Sequence, residues 1–270
     1  MGASGVMTDA GAKANVLRYA DRLAHAYKDG AIAPIRRECE SATIEDAYAI
    51  QSANTERWVR DGRVVVGAKT GLTSKAVQKQ LGVSQPDFGI LFADMAVEDG
   101  AVIEPGRLLQ PKVEAEVAFV MARSPNIERL TTAELISSIG YVLPALEIVD
   151  SRIQGWDIGI VDTIADNASS GLFVLGARPV ALSEVDLRLC GMVLEKNGEP
   201  VSFGAGAACL GHPLHALGWL ARTLAGVGRP LQTGNIVLSG ALGPMVEANA
   251  GDAFEARIEG LGAVHVRFGR

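Results

Sequence analysis

The chain has 270 residues, of which 48% are hydrophobic and 21% charged, and its formal net charge is −6 at pH 7. This balance is typical of a globular protein with one large domain, or with a core domain and a small cap, and it excludes a disordered chain. The negative charge argues against nucleic acid as a partner, because phosphate backbones are bound by basic surfaces. No run of about 18 apolar residues occurs, so we expect no membrane partner.

Two helices are predicted near the N-terminus. Residues 12–29 carry an amphipathic pattern, and Thr43 to Asp46 resembles a capping box that would start a helix ending near Arg60. We interpret residues 1–62 as a helical N-terminal cap. The beginning of the chain lacks the apolar core of a signal peptide, which favours a cytoplasmic location.

From Val64 the chain changes to short segments rich in β-branched residues and bounded by Gly or Pro, which predict strands. Asn197-Gly198 and Gly260–Gly262 predict two hairpin turns. The strands are expected at Val64–Val66, Val117–Met121, Val142–Val149, Leu172–Leu175, Leu187–Leu194, Ile236–Leu238, Phe254–Ile258 and Val264–Phe268. With helices only at Thr131–Ser138 and His212–Val227, the pattern indicates an α+β fold in which residues 63–270 form a β-rich catalytic core.

Two acidic residues alternate along one of these segments. In a strand, residues two apart point to the same face, so Glu114 and Glu116 project together. Two such carboxylates repel each other unless a cation lies between them, and Mg²⁺ or Mn²⁺ prefers oxygen ligands. From this pattern alone, a solvated polar strand face is the alternative.

A third carboxylate interrupts the apolar run Val142–Val149. If Glu147 is buried there, it must be paired or metal-bound, and an ion pair with Arg152 is the alternative to a metal. Three carboxylates without a nearby His or Cys ligand predict an oxygen-rich site for Mg²⁺ or Mn²⁺ rather than for zinc. The widely spaced Cys39, Cys190 and Cys209 are expected to be free thiols.

Lys69 follows an apolar segment and is flanked by Gly67 and Gly71. A lysine in a desolvated pocket beside a metal can have a lowered pKa and transfer protons, whereas an exposed lysine is the alternative. No Gly-x-Ser-x-Gly elbow occurs, which argues against a serine hydrolase. His212 and His215 begin a predicted helix, so we expect them to cap it or lie at the surface.

Five short motifs occur in order along the chain: Gly67–Ser74, Gln85–Gly89, Pro111–Glu116, Leu146–Arg152 and Ala165–Ser169. Together they resemble the hydratase/decarboxylase branch of the fumarylacetoacetate hydrolase superfamily. The likeness extends from about Ile44 to Phe268. It implies a mixed β-roll or barrel-like core with a helical N-terminal part, and a homo-oligomer.

The resemblance also implies roles for individual residues. Glu114, Glu116 and Glu147 would bind Mg²⁺ or Mn²⁺, and Lys69 would transfer protons with Asp87 as a second catalytic residue. Four further residues are expected to bind the substrate or to line and brace the site: Asp166, Ser169, Ser239 and Gly240.

The implied substrate is a small 2-oxo or 2-enol carboxylic acid. The expected reaction is metal-dependent addition of water to 2-hydroxypenta-2,4-dienoate, through the 2-oxo-3-enoate, to give 4-hydroxy-2-oxopentanoate in the meta-cleavage breakdown of aromatic compounds. Decarboxylation of 4-oxalocrotonate at the same metal site is the alternative. A less favoured alternative is that the protein is a non-catalytic assembly subunit that kept the fold. A sister enzyme of the same pathway is left open as a partner.

Overall fold

The computed structural model describes residues 9–39, 41–80 and 83–270. The first eight residues of the predicted cap therefore lie outside the described residues. In the described part of the chain the helices are α1 (Asp9–Asp29), α2 (Ile35–Glu38), α3 (Ile44–Arg60), α4 (Lys75–Gln80), α5 (Thr132–Ser138), α6 (Ile160–Ala165) and α7 (Pro213–Gly226). None of these described helices is both long enough and apolar enough to cross a membrane.

The strands form two sheets. The first five are β1 (Val65–Gly71), β2 (Asp87–Phe92), β3 (Ala96–Val97), β4 (Val102–Ile103) and β5 (Pro111–Met121). The next four are β6 (Ile139–Asp150), β7 (Ser170–Leu175), β8 (Gly191–Lys196) and β9 (Glu199–Ala205). The last four are β10 (Ile236–Leu238), β11 (Val246–Glu247), β12 (Ala253–Ile258) and β13 (Gly262–Phe268).

The larger sheet is mixed and has eight strands in the order β2-β1-β10-β5-β6-β7-β3, with β11 paired to β5. Its centre is the long antiparallel pair of β5 and β6, which places Glu114 directly opposite Glu147. Strand β10 pairs with β5 on one side and with β1 on the other, in parallel. This order brings β1, which carries Lys69, to within two strands of Glu114 and Glu116.

The smaller sheet has five strands in the order β4-β13-β12-β8-β9. The predicted hairpin turn between β8 and β9 is confirmed: Asn197 and Gly198 have φ values of +55° and +83°, the left-handed conformation that two-residue hairpin turns require. One apolar core joins both sheets to α7, and its residues include Phe119, Phe173, Phe254 and Leu220.

The predicted helices of the cap are confirmed, and their local chemistry is visible. The side chain of Thr43 accepts a hydrogen bond from the backbone N–H of Asp46, and the Asp46 carboxylate accepts one from the N–H of Thr43. This reciprocal capping box starts α3. At α7, Nδ1 of His212 accepts a hydrogen bond from the N–H of Leu214 at 3.0 Å, which confirms the expected capping role.

The cap has an apolar cluster of its own. Tyr19, Leu23 and Ile50 from the helices pack there with Ile153 and Ile164 from the chain beyond β6. Because this cluster contains residues from both sides of residue 62, the division between residues 62 and 63 stays a prediction.

Several strand boundaries differ from those predicted, among them those of β1 and β8. Strand β1 runs from Val65 to Gly71, so Lys69 lies inside the strand rather than after it. Strand β8 begins only at Gly191 and not at Leu187. The carboxylate of Asp186 accepts hydrogen bonds from the N–H groups of Arg188 and Leu189. This turn keeps Leu187 and Leu189 out of the hydrogen-bonded strand pairing of β8.

Candidate metal and acid–base site

Three carboxylates meet at the centre of the larger sheet. One oxygen from each of Glu114, Glu116 and Glu147 lies within 4.8 Å of the others. Glu116 is 0% exposed and Glu147 1% exposed, while Glu114 is half-buried. The alternative of a solvated strand face is therefore wrong, because water does not reach two of the three side chains.

The carboxylate oxygens of this cluster lack partners. Oε1 of Glu116 and both carboxylate oxygens of Glu147 are buried without a hydrogen bond. Burial raises the pKa of Glu116, and the charges of Glu147 and Glu114 raise it further. The same two causes, burial and then Glu147, raise the pKa of Glu114 to about 7. A cluster that is costly to ionise and offers unpaired oxygens matches the ligand set of a hard divalent cation.

Lys69 lies against this cluster. Its Nζ is 3.1 Å from Oε1 of Glu147, and the side chains are 4% and 1% exposed; the contact has ion-pair distance without hydrogen-bond geometry. The alternatives of an exposed lysine and of a Glu147–Arg152 ion pair are both wrong. Burial lowers the pKa of Lys69, but the surrounding carboxylates outweigh it and raise that pKa overall. The lowered pKa expected for Lys69 beside a bound metal stays a prediction.

Asp87, at the start of β2, faces the same space as Lys69. Its Oδ2 accepts a hydrogen bond from the hydroxyl of Thr163 at 3.2 Å, and its Oδ1 is buried without a partner. Burial raises the pKa of Asp87. A Cβ on Gly71 would overlap Oδ1 of Asp87 and lie 3.6 Å from Nζ of Lys69. The missing side chain at residue 71 therefore leaves room for both catalytic candidates.

The turn after β10 holds Glu116. The N–H of Gly240 donates to Oε2 of Glu116 at 2.7 Å, which leaves Oε1 as the unpaired oxygen. The hydroxyl of Ser239 donates to the carbonyl of Gly240 and accepts from the N–H of Val117, and Ser239 is 0% exposed. We therefore expect Ser239 and Gly240 to position Glu116 rather than to contact a substrate carboxylate.

Asp166 forms a buried ion pair. It accepts hydrogen bonds from both the backbone N–H and Nε of Arg152, and both residues are at most 1% exposed in the pair. Since both carboxylate oxygens are used, we expect Asp166 to brace the site. The hydroxyl of Ser169, by contrast, is buried without a hydrogen-bond partner. Among the four substrate-binding candidates, Ser169 therefore has a side-chain hydroxyl that is available to hydrogen-bond a substrate.

The sequence interpretation missed Thr163 as a partner of Asp87. Thr163 lies on α6, a helix of six residues that carries too few turns to show a helical period. The sequence interpretation also treated Gly71 only as a residue that flanks Lys69. No local signal identifies either residue, because each acts through a contact with β2, which is distant in sequence.

Comparison with known proteins identifies the family of the chain. The sequence model described as "Fumarylacetoacetate (FAA) hydrolase C-terminal" matches residues 54–268. The chain belongs to the fumarylacetoacetate hydrolase family. The resemblance drawn from the five motifs is thereby confirmed, and so is the fold class expected from it, a mixed β core with helices at the N-terminus.

Individual members of the fumarylacetoacetate hydrolase family resemble most of the chain. It is 57% identical over 237 residues to 2-keto-4-pentenoate hydratase 1 of Dechloromonas aromatica, covering 88% of this chain and 90% of that protein. It is 56% identical over 256 residues to the TodF product hydratase of Pseudomonas putida, covering 94% and 96%. Among solved structures, 4-oxalocrotonate decarboxylase from Pseudomonas putida G7, complexed with magnesium and adipate, superposes with a TM-score of 0.89 at 37% identity, covering 95% and 98%.

Proposed function

We propose that this protein is a metal-dependent hydratase that adds water to 2-hydroxypenta-2,4-dienoate and gives 4-hydroxy-2-oxopentanoate. The observation that carries the proposal is the group of three buried or half-buried carboxylates with unpaired oxygens beside buried Lys69. The identity of 57% and 56% to two hydratases over most of the chain supports the reaction type.

The metal site would be formed by Glu114, Glu116 and Glu147. Carboxylate oxygens alone favour Mg²⁺ or Mn²⁺, and the related decarboxylase structure contains magnesium. When bound, the cation supplies Lewis-acid polarisation of the 2-oxygen of the substrate and offsets the negative charge that develops there. The N–H of Gly240 donates to Oε2 of Glu116, so Oε1, which has no partner, would be the oxygen available to a cation.

Lys69 and Asp87 would move the protons. The 2-hydroxyl proton leaves the dienol while a proton is added at C5, which gives the conjugated 2-oxo-3-enoate. The oxygen of water then adds at C4 and a proton at C3, so that the net change is the gain of one water. Asp87 suits the acceptor role because burial raises the pKa of its carboxyl, which makes its carboxylate a stronger base. Lys69 suits the donor role because the surrounding carboxylates raise its pKa and keep the amine protonated.

Decarboxylation of 4-oxalocrotonate is the second candidate. It is supported by the structural similarity to the decarboxylase at 37% identity, which is lower than the identity to the hydratases. The same polarised 2-oxygen can accept the electron pair released when a carboxylate leaves. A homo-oligomer and a sister pathway enzyme as partner remain proposals drawn from the family resemblance. A cytoplasmic location also remains a proposal, drawn from the N-terminal sequence.

The test is to supply freshly generated 2-hydroxypenta-2,4-dienoate with Mg²⁺, with Mn²⁺ and with EDTA, and to identify the product by mass. We expect metal-dependent gain of one water and none in EDTA. If the dienoate is unchanged but 4-oxalocrotonate loses CO₂, the second candidate is correct. If neither compound reacts with either metal, the proposed substrate class is wrong.

A further inference from the structure

Lys112 lies on the same strand face as the metal-site carboxylates. It precedes Glu114 by two residues and Glu116 by four on β5, and alternate residues of a strand share a face. Burial decreases along this row: Glu116 is buried, while Glu114 and Lys112 are half-buried. The site therefore opens to solvent at the Lys112 end of the strand.

The ammonium of Lys112 is held in place without an acceptor. Its Nζ lies 4.4 Å from the centre of the Trp156 ring, a cation–π contact. Among the described residues, no carboxylate lies within ion-pair distance of it and none of its N–H groups makes a hydrogen bond. Its cross-strand neighbour Glu247 is exposed and forms no ion pair with it. Three N–H donors thus remain available at the mouth of the site.

The loop that contains Trp156 is held in place by hydrogen bonds. Trp156 has φ +56°, a conformation that costs a bulky residue energy and persists only where its surroundings enforce it. Its indole N–H donates to the carbonyl of Gln110 at 2.9 Å. The side chain of Gln110 donates in turn to the carbonyls of Ser151 and Ile153. These contacts fix the ring beneath the ammonium.

The two lysines approach the carboxylates from different strands. The backbone of Lys69 on β1 is level with residue 118 of β5, and its Nζ reaches Glu147, whereas Lys112 lies on β5 itself, beyond Glu114 toward the mouth of the site. The proposed proton transfers at C3 and C5 require those carbons to face Lys69. The carboxylate end of the substrate must then face the mouth of the site.

We propose that Lys112, supported by Trp156, binds the C1 carboxylate of the 2-oxo acid and so determines specificity for acids over uncharged analogues. This proposal rests on the proposed function for the orientation of the substrate. A charge-assisted hydrogen bond of this kind is present both before and during the reaction, so its loss raises KM and leaves kcat nearly unchanged.

The experiment compares Lys112→Met, Lys112→Arg and the control Lys196→Met, whose ammonium also lies over an aromatic ring, that of Phe254. We expect KM for the dienoate to rise about 10- to 100-fold in Lys112→Met with kcat within about threefold. Lys112→Arg should recover part of the loss, and the control should match the unaltered protein. An unchanged KM in Lys112→Met overturns the proposal.

Two further measurements separate the causes. If Lys112 only offsets the charge of Glu114, calorimetric titration with Mg²⁺ alone will show tighter binding in Lys112→Met while KM is unaltered. Competition between pyruvate and its amide on the Mg²⁺-loaded protein probes the carboxylate directly. A preference for pyruvate that is lost in Lys112→Met supports Lys112 even if the dienoate is not hydrated. No preference in the unaltered protein, or one that Lys112→Met keeps, overturns the assignment.

Discussion

Nζ of Lys69 lies 3.1 Å from Oε1 of Glu147, although the residues are on strands separated by β10 and β5 in the sheet. The contact couples the proposed proton donor to a proposed metal ligand. A cation bound by Glu147 would reduce the negative charge that raises the pKa of Lys69, so occupancy of the metal site would make the ammonium a stronger acid.

Replacing Lys69 should separate chemistry from metal binding. We expect Lys69→Met to lower kcat by about 10²- to 10⁴-fold, the usual contribution of a general acid or base. Calorimetric titration with Mg²⁺ should still show binding, because the three carboxylates remain. A rate equal to that of the unaltered protein would remove Lys69 from the mechanism.

Replacing Glu116, unlike replacing Lys69, should weaken the binding of the metal itself. Glu116→Gln keeps an oxygen for the N–H of Gly240 but replaces an anionic ligand, so we expect Mg²⁺ affinity to fall by about 100-fold or more. Circular dichroism should show an intact fold. Glu128→Gln, at an exposed position, is the control. Normal Mg²⁺ affinity in Glu116→Gln would contradict the ligand assignment.

The stability of the metal-free protein should depend on pH through Glu114. Its pKa is raised from 4.5 to about 7, so its contribution to stability is fully present below about pH 4.5 and is lost as the pH rises through about 7. In EDTA we expect a higher Tm at pH 5.5 than at pH 8. Mg²⁺ should raise Tm more at pH 8, because it binds the ionised carboxylates. Equal Mg²⁺ shifts at both pH values would count against this coupling.

Breaking the Arg152–Asp166 pair should destabilise the fold. Both partners are buried, and the guanidinium also lies 4.7 Å from the centre of the Tyr27 ring of α1. We expect Arg152→Met to lower the free energy of unfolding by about 3–5 kcal/mol, because it leaves a buried charge unpaired. The control Arg257→Met removes an exposed pair with Glu255 and should change the free energy of unfolding far less, because solvent screens an exposed ion pair. Urea denaturation measures both.

A methyl group at residue 71 should disturb Asp87. The Cβ of Gly71→Ala would overlap Oδ1 of Asp87, so we expect about 1–3 kcal/mol of destabilisation and at least a tenfold lower kcat. Gly226→Ala adds a methyl group where no atom lies within 4 Å and is the matched control. The opposite result, with turnover kept in Gly71→Ala and lost in Gly226→Ala, would show that this space is not part of the site.

The local pattern of the sequence determined those features that depend on neighbouring residues. The period of two in a strand places Glu114 and Glu116 on one face, and the structure brings them together with Glu147. The capping box at Thr43 and the turn at Asn197-Gly198 were predicted for the same reason, since each is complete within four residues.

Only the tertiary structure decided which distant groups meet. Strand order brings Lys69 rather than Arg152 to Glu147, and it gives Arg152 to Asp166. It also uses Gly240 to hold Glu116. These partners are 14 to 124 residues apart in sequence, and their choice depends on sheet register and burial. Local propensity carries no information about either, because a side chain's solvation and partners are set by whichever strands pack around it.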